Sequence, residues 1–203
     1  MNSVITQKHI DRAMSYDQYL TLVKQLLDEN RTTGNNQSPA MLEYTKLNAQ
    51  RMRRLNKTIV LDDLLVEKLK SSFEPQIWLV VTEAWCGDAA QNIPLLAKMA
   101  EQSENIDLKL ILRDEYPEVI DGYLTNGGRA IPKLISLTSQ LEEIGSWGPR
   151  PQIAHQLVAT YKANPDVDKK VFNEAVQGWY AKDKTKSMQQ EFIMLLDKWL
   201  KKV

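Results

Sequence analysis

"TEAWCGDAAQN", residues 82–92, leads from a strand-like run into a helix and holds the chain's single cysteine, Cys86. The preceding "QIWLVVTE" is a continuous apolar run of strand length, the pattern of a strand covered on both faces. A helix is expected from about Cys86 to Gln102. "IDLKLILR" then supplies a second strand with apolar and β-branched content. Strand, helix, strand at this spacing predicts a βαβ unit with parallel strands and a right-handed crossover. A helix start presents backbone N–H groups without intrahelical partners, together with the positive end of the dipole. A thiolate there is stabilised, so the position predicts a Cys86 pKa lowered from about 8.5 towards neutrality. Gly87 beside it lets another backbone approach closely.

Outward from this unit the pattern is helical on both sides. Ser15 is a candidate cap for a helix with Tyr16, Tyr19, Leu20, Val23, Leu26 and Leu27 on one stripe. "RTTGNNQSP" breaks it, and a second helix begins near Pro39, with Met41, Tyr44, Met52 and Leu55 on one side. The charges of "RMRRLNK" lie mostly off that stripe and read as a solvated face, with an anionic partner as the alternative. "LDDLLVEKLKSS" is a third, short helix. After the second strand, "PEVIDGYLTNGGR" predicts a short helix stopping at Asn126-Gly127-Gly128. "PKLISLT" and "LEEIGSW" predict an antiparallel hairpin, although its turn lacks the usual Asn-Gly pair. The last fifty residues return to helix. Val171, Phe172, Ala175, Val176 and Trp179 form one stripe; Met188, Phe192, Leu195, Leu196 and Trp199 form another.

Composition narrows the function classes. Among 203 residues, Lys+Arg and Asp+Glu both number 26, so the formal net charge is zero. That balance removes the electrostatic case for nucleic acid or an anionic membrane surface. The opening "MNSVITQKHIDRAM" lacks the apolar core of a signal peptide. "IWLVV" is far shorter than the roughly 20 residues needed to span a bilayer. One cysteine allows no internal disulfide, which makes the cytoplasm the expected location. His9, His155 and Cys86 show no metal-ligand spacing, so no metal is expected. Nothing resembles a Ser-His-Asp or paired-carboxylate hydrolase site.

"AWCGDA" resembles the WCGPC site of the thioredoxins, with a strand before it, a helix carrying it and a strand after it. "GGRAIPKLI" resembles the segment in which a cis-proline faces the active-site thiol; Pro132 maps to that proline and Ile131 to the residue before it. "EEIGSWG" resembles the closing strand, with its glycine at Gly145. The resemblance runs over residues 75–163. The longer frame is similar to a bacterial subgroup of the thioredoxin-like superfamily carrying helical extensions. It implies an α/β chain with a thioredoxin-like fold, a central mixed sheet flanked by helices. Residues 1–74 and 164–203 would be the N- and C-terminal helical extensions of one compact domain.

The departures from that pattern are chemical. The family's second cysteine falls at Ala89, so no internal sulfur can resolve a mixed disulfide. Asp88 replaces the intervening proline, and its charge disfavours a nearby thiolate. Val80 stands where thioredoxins bury an aspartate; Glu83 is a candidate replacement, or a solvated strand end. Three readings follow. Cys86 acts alone as a monothiol nucleophile, with glutathione, another low-molecular-weight thiol or a protein thiol as co-substrate. Alternatively it is a reversibly oxidised sensor, or the fold is a redox-inactive interaction module. The candidate site is Cys86 with Trp85, Gly87, Asp88, Ile131 and Pro132. Arg129 and Arg150 are candidates to bind the carboxylate of a glutathione-like ligand.

Overall fold

The computed structural model of the protein describes residues 4–71, 73–163 and 168–199. Its centre is β1 (Gln76–Thr82), flanked in parallel by β2 (Ile106–Leu112) and in antiparallel by β3 (Lys133–Thr138), which pairs in turn with antiparallel β4 (Glu143–Trp147). The sheet order is β2-β1-β3-β4. Trp78, Leu79, Val80 and Val81 are fully buried. An apolar run without alternation suits this strand, because both its faces are covered and both its edges are paired. Val80 lies between Leu110 and Leu134 in the register, so no acid sits there.

Helices precede the sheet. α1 is Gln7–Arg12, α2 Tyr16–Asp28, α3 Pro39–Thr58 and α4 Asp63–Lys70. Ser15 caps α2 as expected: its hydroxyl accepts from the Gln18 N–H, and the Gln18 side chain accepts from the Ser15 N–H. The buried stripe of α3 differs from the expected one. It runs through Thr45, Asn48, Met52 and Leu55; the two polar members each have a partner, Asn48 in the backbone leading to Cys86 and Thr45 in the Thr32 hydroxyl. Asn48 is 1% exposed, and its amide donates to the Ala84 carbonyl at 2.9 Å. The Ala84 N–H donates to the Thr33 hydroxyl at 2.8 Å. The N-terminal helices and the loop between them thus satisfy both backbone groups of the residue two before the cysteine.

α5 (Gly87–Ala100) leaves β1 at the cysteine, and α6 (Pro117–Asp121) follows β2. The expected stop at Asn126-Gly127 is instead a tight turn. Both residues take positive φ, and Thr125 bridges to Gly128. The β3–β4 hairpin forms without Asn-Gly: Leu141 takes φ 64°, and the Thr138 hydroxyl accepts from the N–H groups of Gln140 and Glu142.

The C-terminal helices are α7 (Gln152–Lys162), α8 (Lys169–Asp183) and α9 (Lys186–Trp199). They divide by packing. α9 joins the main core: Phe192 sits 5.6 Å from Trp78 and 5.5 Å from Trp147 between ring centroids. α7 and α8 form a satellite cluster around Val158, Val176 and Tyr180. Residues 164–167, just past the expected boundary at 163, lie outside those described.

Replacing Asn48 with alanine leaves the buried Ala84 carbonyl without its donor. The expected loss is about 1–3 kcal/mol of unfolding free energy, read as a lower urea midpoint at unchanged m-value. A change inside about 0.5 kcal/mol, the range of ordinary surface substitutions, would contradict the role assigned to Asn48.

Candidate thiol site

Cys86 is the N-cap of α5. Its Sγ accepts from the Ala89 N–H at 3.4 Å and donates to the Ile131 carbonyl at 3.2 Å. Ile131 is joined to Pro132 by a cis peptide, and both residues are buried. The β1–α5 junction and the loop entering β3 thus meet at the sulfur. Gly148 backs that loop: it holds φ 118°, and a Cβ there would fall 2.3 Å from the Pro132 carbonyl oxygen.

The sulfur is more enclosed than a helix start alone suggests. Cys86 is 9% exposed. Burial first, and the Asp88 charge second, push its pKa up to about 12; the Ala89 and Asp88 backbone N–H groups and the Arg150 charge oppose them. The expected lowering is therefore reversed. Removing the thiolate from water costs more than the helix terminus returns, and a thiol donating to a carbonyl is favoured in its neutral form.

The enclosure comes from both helical extensions. A cavity of about 290 Å³ adjoins the sulfur, with Met41, Tyr44 and Arg51 of α3 on one side and Phe172, Val176 and Gln177 of α8 on another. Trp85, Gly87, Asp88 and Arg150 also line it. Trp85 is half-buried beneath the Arg113 guanidinium, 4.7 Å from the ring centroid. A Cβ on Gly87 would meet the Gln177 amide nitrogen at 3.0 Å, so the absent side chain makes room for α8.

Asp88 ties the start of α5 to α8 and to Arg150. It accepts from Arg150 through both Nε and Nη2, and from the Tyr180 hydroxyl at 2.7 Å. The Asn92 amide donates to the Tyr180 oxygen and to the Pro149 carbonyl. The Gln91 amide donates to Gln177 at 2.7 Å. α8 is therefore fastened to α5 largely by polar contacts.

The other expected site residues are distributed differently. Arg150 lies at the cavity, but its guanidinium is engaged by Asp88. Arg129 is exposed and paired bidentately with Asp121 at 2.7 Å; it does not line the cavity. Glu83 is 0% exposed, which rules out the solvated strand end. Burial raises its pKa, more than the Thr33 hydroxyl and the Asp114 N–H lower it. Arg51, Asn48, Gln177 and Tyr180 escaped the sequence reading. A signal existed for two of them: Asn48 and Arg51 follow Tyr44 at i+4 and i+7 and so share a helix face with it. A larger cleft of about 850 Å³, lined by Arg54, Val60, Tyr180 and Lys184 among others, does not include Cys86. Among the described residues no group of His, Cys, Asp or Glu is placed to hold a metal ion, and no helix is long and apolar enough to cross a membrane.

A family model described as thioredoxin matches residues 34–162. The chain belongs to the thioredoxin family. The match begins before α3, so the family unit takes in α3 and α4 as well as the sheet. No curated protein matches the sequence. Two solved structures share this thioredoxin-family chain's fold at low identity. One is a Pseudomonas aeruginosa protein of unknown function, PA1234, with 18% identity and a TM-score of 0.56, covering 91% of this chain and 98% of its own. The other is an HIV epitope scaffold, with 17% identity, a TM-score of 0.55 and the same coverages.

The raised thiol pKa has a consequence for stability. A group whose folded pKa exceeds its unfolded value stabilises fully below the unfolded pKa, and that contribution is lost as pH rises towards the folded pKa. For Cys86 the window runs from about 9 to about 12. Wild type should therefore lose stability relative to Cys86→Ala as pH rises above about 9, measured by urea unfolding between pH 7 and 10.5. Parallel curves for the two proteins would contradict the burial of the thiol.

Proposed function

We propose that this thioredoxin-family protein carries out monothiol thiol–disulfide exchange with Cys86 as nucleophile. The observation that supports it best is the meeting of the sulfur with the Ile131 carbonyl, beside a cavity and at the first turn of α5. In the proposed step the Cys86 thiolate attacks one sulfur of a disulfide. A Cys86–substrate disulfide forms, the old sulfur–sulfur bond breaks, and the released thiolate takes up a proton. Ala89 offers no resolving sulfur, so a second thiol from solution attacks the mixed disulfide and returns Cys86 as thiolate. One disulfide is consumed and one is made, with no net oxidation. Glutathione or a protein thiol fills the second role, and Trp85, Gly87, Asp88, Ile131 and Pro132 frame the substrate.

The neutral resting thiol sets the rate. A substrate N–H that takes over the Ile131 carbonyl frees the sulfur from its acceptor, and displacement of α8 rehydrates it. The second reading is a redox-inactive interaction module in the cytoplasm. It is favoured by the same burial that holds the thiol protonated.

Turnover of a glutathionylated peptide with excess glutathione separates the two. Exchange predicts turnover that Cys86→Ser abolishes and that rises with pH from 7 to 9, because the thiolate fraction grows about tenfold per unit below the pKa. Turnover equal in wild type and Cys86→Ser would leave the interaction module.

A further inference from the structure

Arg51 stands apart from the other arginines around the site. Arg150 is engaged by Asp88, Arg113 by Asp114 and Arg129 by Asp121. Arg51 is half-buried and forms no ion pair among the described residues. Its one described hydrogen bond donates from Nη1 to the Asn48 side-chain oxygen at 2.8 Å. That leaves most of a five-donor fork uncommitted. Burial first, and the like charge of Arg54 second, lower its pKa. A half-buried cation without a counter-ion is costly to maintain; an anion arriving from solution removes that cost.

Its position gives the anion a place. Arg51 lines the same cavity as Cys86. A point at the Cβ position of Gly87, the residue after the cysteine, is 3.8 Å from Arg51 Nη1 and 3.0 Å from Gln177 Nε2. The Gln177 oxygen is occupied by Gln91, so its N–H₂ end is the one turned to the cavity. Two donors from two different helices thus converge within one residue of the sulfur. The nearby carboxylate of Asp88 is turned to Arg150 and Tyr180, accepting from both, and is not paired with Arg51. The remaining wall is mostly apolar, formed by Met41, Trp85, Val158, Phe172 and Val176; Tyr44 and Asn173 also line it, the Asn173 amide donating to the Tyr44 hydroxyl.

We propose that Arg51, assisted by Gln177, is the anion-binding group of the Cys86 cavity and selects a low-molecular-weight thiol or disulfide bearing a carboxylate. The inference rests on the exchange reading for its substrate class, but binding at Arg51 needs no chemistry at Cys86. The carboxylate meets the guanidinium, the stem lies on the apolar wall, and the ligand's sulfur is brought to Cys86. A cavity of about 290 Å³ suits a small molecule, just under the usual range for ligand pockets of about 300–1,000 Å³.

The test uses S-methylglutathione, a carboxylated thioether that cannot exchange, titrated calorimetrically into the full-length protein. Saturable binding is expected to wild type and to Cys86→Ser alike. Arg51→Gln should weaken it by about tenfold or more, as for loss of a charge-assisted contact. Esterifying the ligand's carboxylates should weaken binding to wild type similarly, and this arm requires no folded variant. No binding to wild type, or equal binding by Arg51→Gln and by the ester, would overturn the proposal. Arg51-dependent binding without Cys86-dependent turnover would uphold this inference while removing the exchange reading.

Discussion

The hydrogen bond from the Cys86 thiol to the Ile131 carbonyl is the contact on which the rest of the site turns. It joins the start of α5 to the loop that enters β3, and it requires the sulfur to keep its proton. Two opposing terms meet there. Backbone N–H groups at the helix start favour a thiolate; enclosure by protein disfavours it more. The result is a thiol at the position that the resemblance to the WCGPC site implies for a nucleophile, held in its neutral form. Reactivity at such a site depends on water or substrate reaching the sulfur.

The enclosure is built by segments outside the strand–helix–strand unit. Thr33 and Asn48 saturate the backbone of Ala84 and so fix the approach to the cysteine from the N-terminal side. On the C-terminal side α8 lies over Gly87 and is fastened through Asp88, Asn92 and Gln91. Its apolar contacts are largely with α7, in a cluster separate from the main core. An element with few apolar contacts to the main core opens at lower free energy than one packed into it. α9, by contrast, is anchored through Phe192, Leu196 and Trp199. The helical extensions therefore divide into one that completes the sheet's cover and one that roofs the thiol.

Much of the fold was legible in the residues themselves. The unbroken apolar run at 77–81 marked a doubly covered strand, and the cysteine junction marked the βαβ unit. The resemblance of "GGRAIPKLI" to the thioredoxin cis-proline segment, rather than the residues alone, pointed to Pro132 as the facing loop. The state of the thiol was not legible, because burial is decided by residues about 35 to 95 positions away in the chain. Asp88 beside the cysteine suggested repulsion, which its charge does exert; its pairing with Arg150 and its hydrogen bond from Tyr180 are a tertiary matter. Arg51 was hidden for the same reason. Within "RMRRLNK" three arginines are chemically alike, and only the packing of α3 against the Cys86 edge separates Arg51 from its neighbours. Glu83, next to a strand end, carried no local sign that it would be wholly buried.

The central claim is that Cys86 is a protonated, enclosed thiol rather than a pre-formed thiolate. Thiolate absorbance near 240 nm, taken as the difference between wild type and Cys86→Ser across pH, tests it directly. The account predicts no thiolate signal up to about pH 10, with titration only towards 12. A half-titration point at or below the free-thiol value of about 8.5 would contradict it.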